Sequence, residues 1–118
     1  MLNNALGIHR IVVATGFVDL RKGIDGLATV IKENYKLDPF EKGTMFLFCG
    51  RRADRFKFLL WMGNGFLLGY KRLENGSLSW PRTPCGGVDI SEKDFRDLMR
   101  GFDPVNPRVK DVYPRKIY

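Results

Sequence analysis

The run TMFLFC, residues 44–49, constrains the fold of this chain more than any other stretch. It is apolar almost throughout, shows no polar alternation, and has the length of a strand rather than of a helix. Such a run predicts a central strand buried on both faces. Upstream, Ile8 to Ala14 (IHRIVVA) is rich in β-branched residues and predicts a first strand. Between the two, Leu20, Ile24, Leu27 and Ile31 recur at helical spacing, one face of a helix running to about Tyr35, with Asp19 as N-cap. Gly23 falls on that face, where glycine costs about 1 kcal/mol relative to alanine. Either the backbone approaches a sheet closely there, or the helix begins after Gly23, and the sequence leaves both open. Leu37-Asp38-Pro39 ends the helix, because the residue before proline avoids helical angles.

Downstream, Arg55 to Met62, Phe66 to Leu73 and Ser77 to Trp80 predict three further strands, separated by GNG and NG hairpin signals. Val88 to Ile90 predicts a short strand. Ser91 caps a helix to about Arg100, with Asp94 three residues on and Gly101 just past the end. The expected fold is α+β: an antiparallel β-meander with the first helix packed on one face and the Ser91 helix at its edge. One domain is expected over residues 1–101, followed by a Pro-containing basic tail, 102–118.

Two-residue turns at Asn64-Gly65 and Asn75-Gly76 would place Met62 opposite Leu67, Trp61 opposite Leu68, Lys57 opposite Arg72 and Leu73 opposite Leu78. Side chains alternate along a strand. One face then collects Phe56, Phe58, Leu60, Met62, Leu67, Leu73, Leu78 and Trp80, with Lys71 its only charge, and is core. The other collects Arg55, Lys57, Leu59, Trp61, Leu68, Tyr70, Arg72, Ser77 and Ser79. Cations interleaved with large rings suit nucleic acid, the cations for phosphates and the rings for bases or sugars. The same face would also serve as a partly solvated outer surface with Trp61 and Tyr70 under a neighbouring helix. A one-residue slip would exchange the two faces.

The loop CGRRADR adds Arg51 and Arg52, able to reach a phosphate bidentately or to pair with Asp54. Arg21 and Lys22, fenced by Asp19 and Asp25, stand where a helix start would disfavour cations, unless its free N–H groups and this pair together bind an anion. An ordinary Lys22–Asp25 pair is the other reading. The formal charge of +7, from twenty Lys and Arg against thirteen Asp and Glu, fits an anionic partner.

His9 is the only histidine, which excludes paired-histidine and His-rich metal chemistry, and no nucleophile elbow or Walker-type loop accompanies it. Asp19, Asp25, Asp38, Glu41 and Asp54 show no spacing that gathers three carboxylates, so a metal-dependent nuclease is disfavoured. No cofactor is expected. Cys49 and Cys85 have no metal-type spacing and are expected as free thiols in a cytoplasmic protein, with no export signal and no membrane span.

The stretches ATGFVDLRKGIDGLATVI and DPFEKGTMFLFCGRRADRFKFLLWMGNGFLLGYKRLENGSLSWP closely resemble the accessory protein from the second reading frame (TnpB-type) of the IS-66 class of bacterial insertion sequences. The resemblance spans roughly residues 8–100. Val18 stands where threonine is usual and Leu20 where methionine is, and Phe40-Glu41-Lys42-Gly43 is slightly longer than the common turn. The matching basic positions are Arg21, Lys22, Arg51, Arg52, Lys57, Lys71 and Arg72. The resemblance implies a role in transposition beside a larger transposase, without catalytic residues to carry over.

These readings combine into a non-catalytic accessory factor for DNA transposition that binds nucleic acid, with element ends as the expected DNA. Its binding residues would be Arg21, Lys22, Arg51, Arg52, Arg55, Lys57, Trp61, Tyr70 and Arg72. The alternative is a protein–protein adaptor for the transposase or another accessory protein of the same element, using Trp61, Leu59, Leu68 and Tyr70 as an apolar patch.

Overall fold

The computed structural model describes residues 6–83 and 86–100. The expected basic tail, Gly101 and Cys85 lie outside these residues. Five strands form one sheet: β1 (Arg10–Ala14), β2 (Thr44–Cys49), β3 (Arg55–Trp61), β4 (Phe66–Arg72) and β5 (Gly87–Ile90), in the order β4-β3-β2-β1-β5. The TMFLFC run is its central strand, with all six residues buried.

The sheet is mixed, which corrects the expected antiparallel meander. β2, β3 and β4 do form antiparallel hairpins, but β1 runs parallel to β2, Arg10 aligned with Thr44 and Val13 with Leu47. Parallel neighbours need a long crossover, usually helical. Here residues 15–43 supply it with α1 (Ile24–Thr29), which continues as a π-helical turn over Val30–Asn34. β5 then adds antiparallel to the free side of β1.

α1 begins after Gly23, the second of the two readings the sequence allowed, and Gly23 caps it in extended conformation without a side-chain bond. Asp19 is not its cap. Asp19 closes a turn instead, accepting from the Arg21 N–H at 3.0 Å through its carboxylate and from the Lys22 N–H at 3.1 Å through its carbonyl. Arg21 and Lys22 therefore precede the helix, the expected anion site at a helix start does not form, and no dipole penalty arises.

Each sheet face carries its own core. α1 and its π turn bury Leu27, Val30 and Ile31 against Val12, Phe46, Phe48 and Leu59. On the opposite face Val13, Met45, Leu47, Phe56 and Leu60 meet Leu78, Trp80 and α2 (Glu92–Met99), which contributes Leu98. The expected cap of α2 is present: Ser91 Oγ accepts from the Asp94 N–H at 3.0 Å, and the Asp94 carboxylate accepts from the Ser91 N–H. Its position differs from expectation, since it covers a face rather than an edge.

The third predicted strand of the meander, Ser77–Trp80, is irregular. The Leu78 N–H donates to the Ala53 carbonyl at 2.6 Å and the Trp80 indole donates to the Ala14 carbonyl at 2.9 Å. These bonds draw the segment across the sheet face towards β1, away from β4.

Candidate nucleic-acid interface

The β3–β4 hairpin decides which side chains share a surface. Its loop has four residues, Met62–Gly65, so that Trp61 pairs with Phe66 and Lys57 with Tyr70. A two-residue turn at Asn64-Gly65 of the kind expected needs positive φ at both residues. The positive φ belongs to Gly63 instead. Every expected partner is thus displaced by two residues, and because the side-chain period is also two, the faces keep their membership. Lys57 is not opposite Arg72; Arg55 is. Met62 and Leu67, expected in the core, are 42% and 37% exposed.

On the α1 side of the hairpin, two adjoining hollows of about 530 and 660 Å³ form one open trough. Asp19, Leu20, Arg21 and Arg55 line both. Phe17, Val18, Gly50, Arg51 and Arg52 complete the first, and Lys57, Leu68 and Tyr70 the second. The structure therefore gathers Arg21, Arg51, Arg52, Arg55, Lys57 and Tyr70 from the expected set. Three other members stand apart. Lys22 is exposed beside the trough, and only its carbonyl takes part, accepting from Lys57 Nζ at 3.1 Å. Arg72 lines neither hollow and is bonded to Glu74 at 3.2 Å. Trp61 packs edge-on between Phe40 and Phe66, at ring-centroid distances of 5.0 and 4.9 Å. Leu59 is fully buried under α1 and drops out of the expected apolar adaptor patch, of which Trp61 and Leu68 are half-buried and Tyr70 is exposed.

Two carboxylates temper the positive charge. Arg21 Nη2 bonds Asp19 at 2.8 Å, and this bond holds the Asp19 carboxyl well below the usual carboxylate range. Arg55 Nε bonds Asp54 at 2.9 Å, lowering Asp54 in the same way and raising the Arg55 guanidinium. The Arg21–Asp19 pair is the more exposed of the two, and surface ion pairs of that kind are weak, so a phosphate can compete for the Arg21 guanidinium; Arg55 and Asp54 are half-buried. Among the described residues no group of three or more His, Cys, Asp or Glu side chains is placed to hold a metal ion. His9 Nε2 lies 3.0 Å from the Lys42 carbonyl, a structural contact at the entry to β1. Cys49 is a free, buried thiol whose pKa burial raises, the opposite of what a nucleophile needs.

The sequence matches the family model described as IS66 Orf2-like protein over residues 9–109. The chain belongs to that family. Two relatives from Sinorhizobium fredii (strain NBRC 101917 / NGR234) are similar to it. The uncharacterized protein y4jC is 35% identical over 103 residues, covering 87% of each chain. The uncharacterized protein y4hO is 35% identical over 99 residues, covering 84% of this chain and 85% of the relative. No solved structure matches.

In this IS66 Orf2-like chain, two residues that sequence reasoning passed over shape the trough. Phe17 is 54% exposed, with the Arg51 guanidinium 4.3 Å above its ring. A phenylalanine flanked by Gly16 and Val18-Asp19, outside any periodic segment, was the available signal. Arg82 donates to the Gly16 carbonyl at 2.6 Å and to the Arg51 carbonyl at 3.3 Å, tying together the two loops that form one rim. Nothing in the local sequence WPRTP marks that role. Among the described residues no helix is long and apolar enough to cross a membrane.

Proposed function

We propose that this IS66 Orf2-like protein is a non-catalytic accessory factor in transposition that binds DNA through the trough. The observation that carries the reading is the lining itself: Arg21, Arg51, Arg52, Arg55 and Lys57 converge on one continuous concavity, against Asp19 alone among lining carboxylates. Cations at that density attract a polyanion, and binding to phosphates releases counterions in proportion to the number neutralised.

The test is a titration of the protein against labelled duplex from an element end, random duplex and a single strand, from low to physiological salt. Arg51→Gln combined with Arg52→Gln removes two exposed cations, one lying over the Phe17 ring and the other bonded to Asp54 at 3.2 Å. The pair should weaken binding to both duplexes alike and lower the salt slope by about two, roughly one for each phosphate no longer neutralised. An unchanged slope would reject the trough as the binding surface. No binding by the unaltered protein to either duplex or to the single strand, even at low salt, would reject the reading itself and leave the aromatic tip of Phe40, Trp61 and Phe66 as a surface for a protein partner.

A further inference from the structure

Tyr70 and Phe17 stand one in each hollow, 53% and 54% exposed, with a cation already against each ring. Arg51 lies 4.3 Å from the Phe17 centroid, and Lys57 Nζ lies 5.9 Å from that of Tyr70. Scattered exposed rings are ordinary on protein surfaces. Two rings in adjoining hollows that share Arg21 and Arg55 are a different arrangement, because each ring has guanidinium groups lining the same hollow. The planar Arg51 guanidinium over Phe17 also forms a short stack that another flat group can extend.

A duplex makes poor use of these features. Its bases present only their edges, their faces being stacked on one another, and its major groove is read by an inserted helix or ribbon. A concave trough inserts nothing. An unpaired strand, by contrast, can turn its bases onto protein rings while its phosphates follow the cations. We propose that the trough holds single-stranded DNA, with bases stacked on Phe17 and Tyr70 and the intervening phosphates on Arg21 and Arg55. This inference rests on the DNA-binding reading above and adds the state of the strand.

The experiment compares a labelled 12-nucleotide single strand with a blunt duplex of the same sequence, at one salt concentration, for the unaltered protein and for Phe17→Ala, Tyr70→Ala and Tyr70→Phe. The single strand should bind more tightly than the duplex. Each alanine variant should lose about 5- to 150-fold in single-strand affinity, the range of one base–ring stack, a larger loss than for duplex, while the salt slope, which counts phosphates neutralised, stays as it was. Tyr70→Phe should retain binding. A strand carrying 5-bromodeoxyuridine should photo-crosslink at Phe17 or Tyr70, since that reaction needs the base against the ring. Duplex binding equal to or tighter than single-strand binding, alanine variants without effect, or crosslinks only elsewhere would overturn the stacking inference and leave phosphate binding standing. Failure of both ligands to bind would remove both readings together.

Discussion

Arg82 lies outside the trough, yet its guanidinium reaches the carbonyls of Gly16 and Arg51 and approaches the Cys49 sulfur at 3.8 Å. Its bonds are to backbone atoms of segments far apart in sequence, and bonds of that kind leave no pattern of spacing or periodicity to read. The same holds for Thr44, the one polar residue of the central run. Its hydroxyl is buried with no hydrogen-bond partner among the described residues. A buried hydroxyl left unpaired costs about 1–3 kcal/mol, whereas an apolar group of the same shape avoids that penalty. Thr44→Val should therefore stabilise the protein by about 1 kcal/mol and raise the thermal midpoint by several degrees. Thr44→Ser, which keeps the hydroxyl and opens a methyl-sized gap, should lower it. A valine variant that unfolds at lower temperature or urea concentration than the unaltered protein would contradict this account.

Among the elements, those whose signals are local were legible. The TMFLFC strand has the bounds its apolar run predicted, and the Ser91–Asp94 capping box sits where the residue types placed it. Strand direction was not legible, because alternation and β-branching are the same whichever way a neighbour runs. The parallel β1–β2 pair follows from the crossover through α1, which is a property of connection length. The hairpin register escaped for a related reason: Gly63, Asn64 and Gly65 offer two turn geometries, and packing chooses between them. Part of that choice is visible at Gly69, directly across from Phe58 in the observed register. A Cβ at Gly69 would overlap the Phe58 ring, which lines an apolar cleft with Met45, Leu47, Phe95 and Met99. Gly69→Ala should destabilise by about 1–3 kcal/mol through overpacking. In a Phe58→Ala background the same change should be neutral or stabilising, since the obstacle is gone. Equal losses in the two backgrounds, measured by urea unfolding, would show that the glycine serves something other than this ring.

At the scale of the whole molecule, a formal charge of +7 is held together by arginine–carboxylate pairs that span elements as well as lining the trough. Arg10 on β1 bonds Glu41 at 2.8 Å and Asp89 of β5 at 2.6 Å, joining the crossover turn to the sheet edge. The Arg10 bond lowers the Asp89 pKa, as Arg55 lowers Asp54 and Arg21 lowers Asp19. Each carboxylate is thus ionised more readily in the folded chain than in the unfolded one, where an aspartate titrates near about 3.9. A depressed folded pKa contributes stability that is fully present above the unfolded value and is lost as pH falls through the folded value. Acidification also raises the net positive charge, and its self-repulsion acts in the same direction. Stability should accordingly be nearly flat from neutrality to about pH 5 and fall below about pH 4. Asp89→Asn isolates one share of that slope, because asparagine keeps the shape and cannot ionise. The variant should be less stable than the unaltered protein at pH 7, its acid decline should be shallower, and the two urea midpoints should converge as pH drops below the range in which Asp89 titrates. Parallel curves that never converge would mean that the loss at Asp89 is one of packing, and that the acid sensitivity of the fold resides in its other carboxylates.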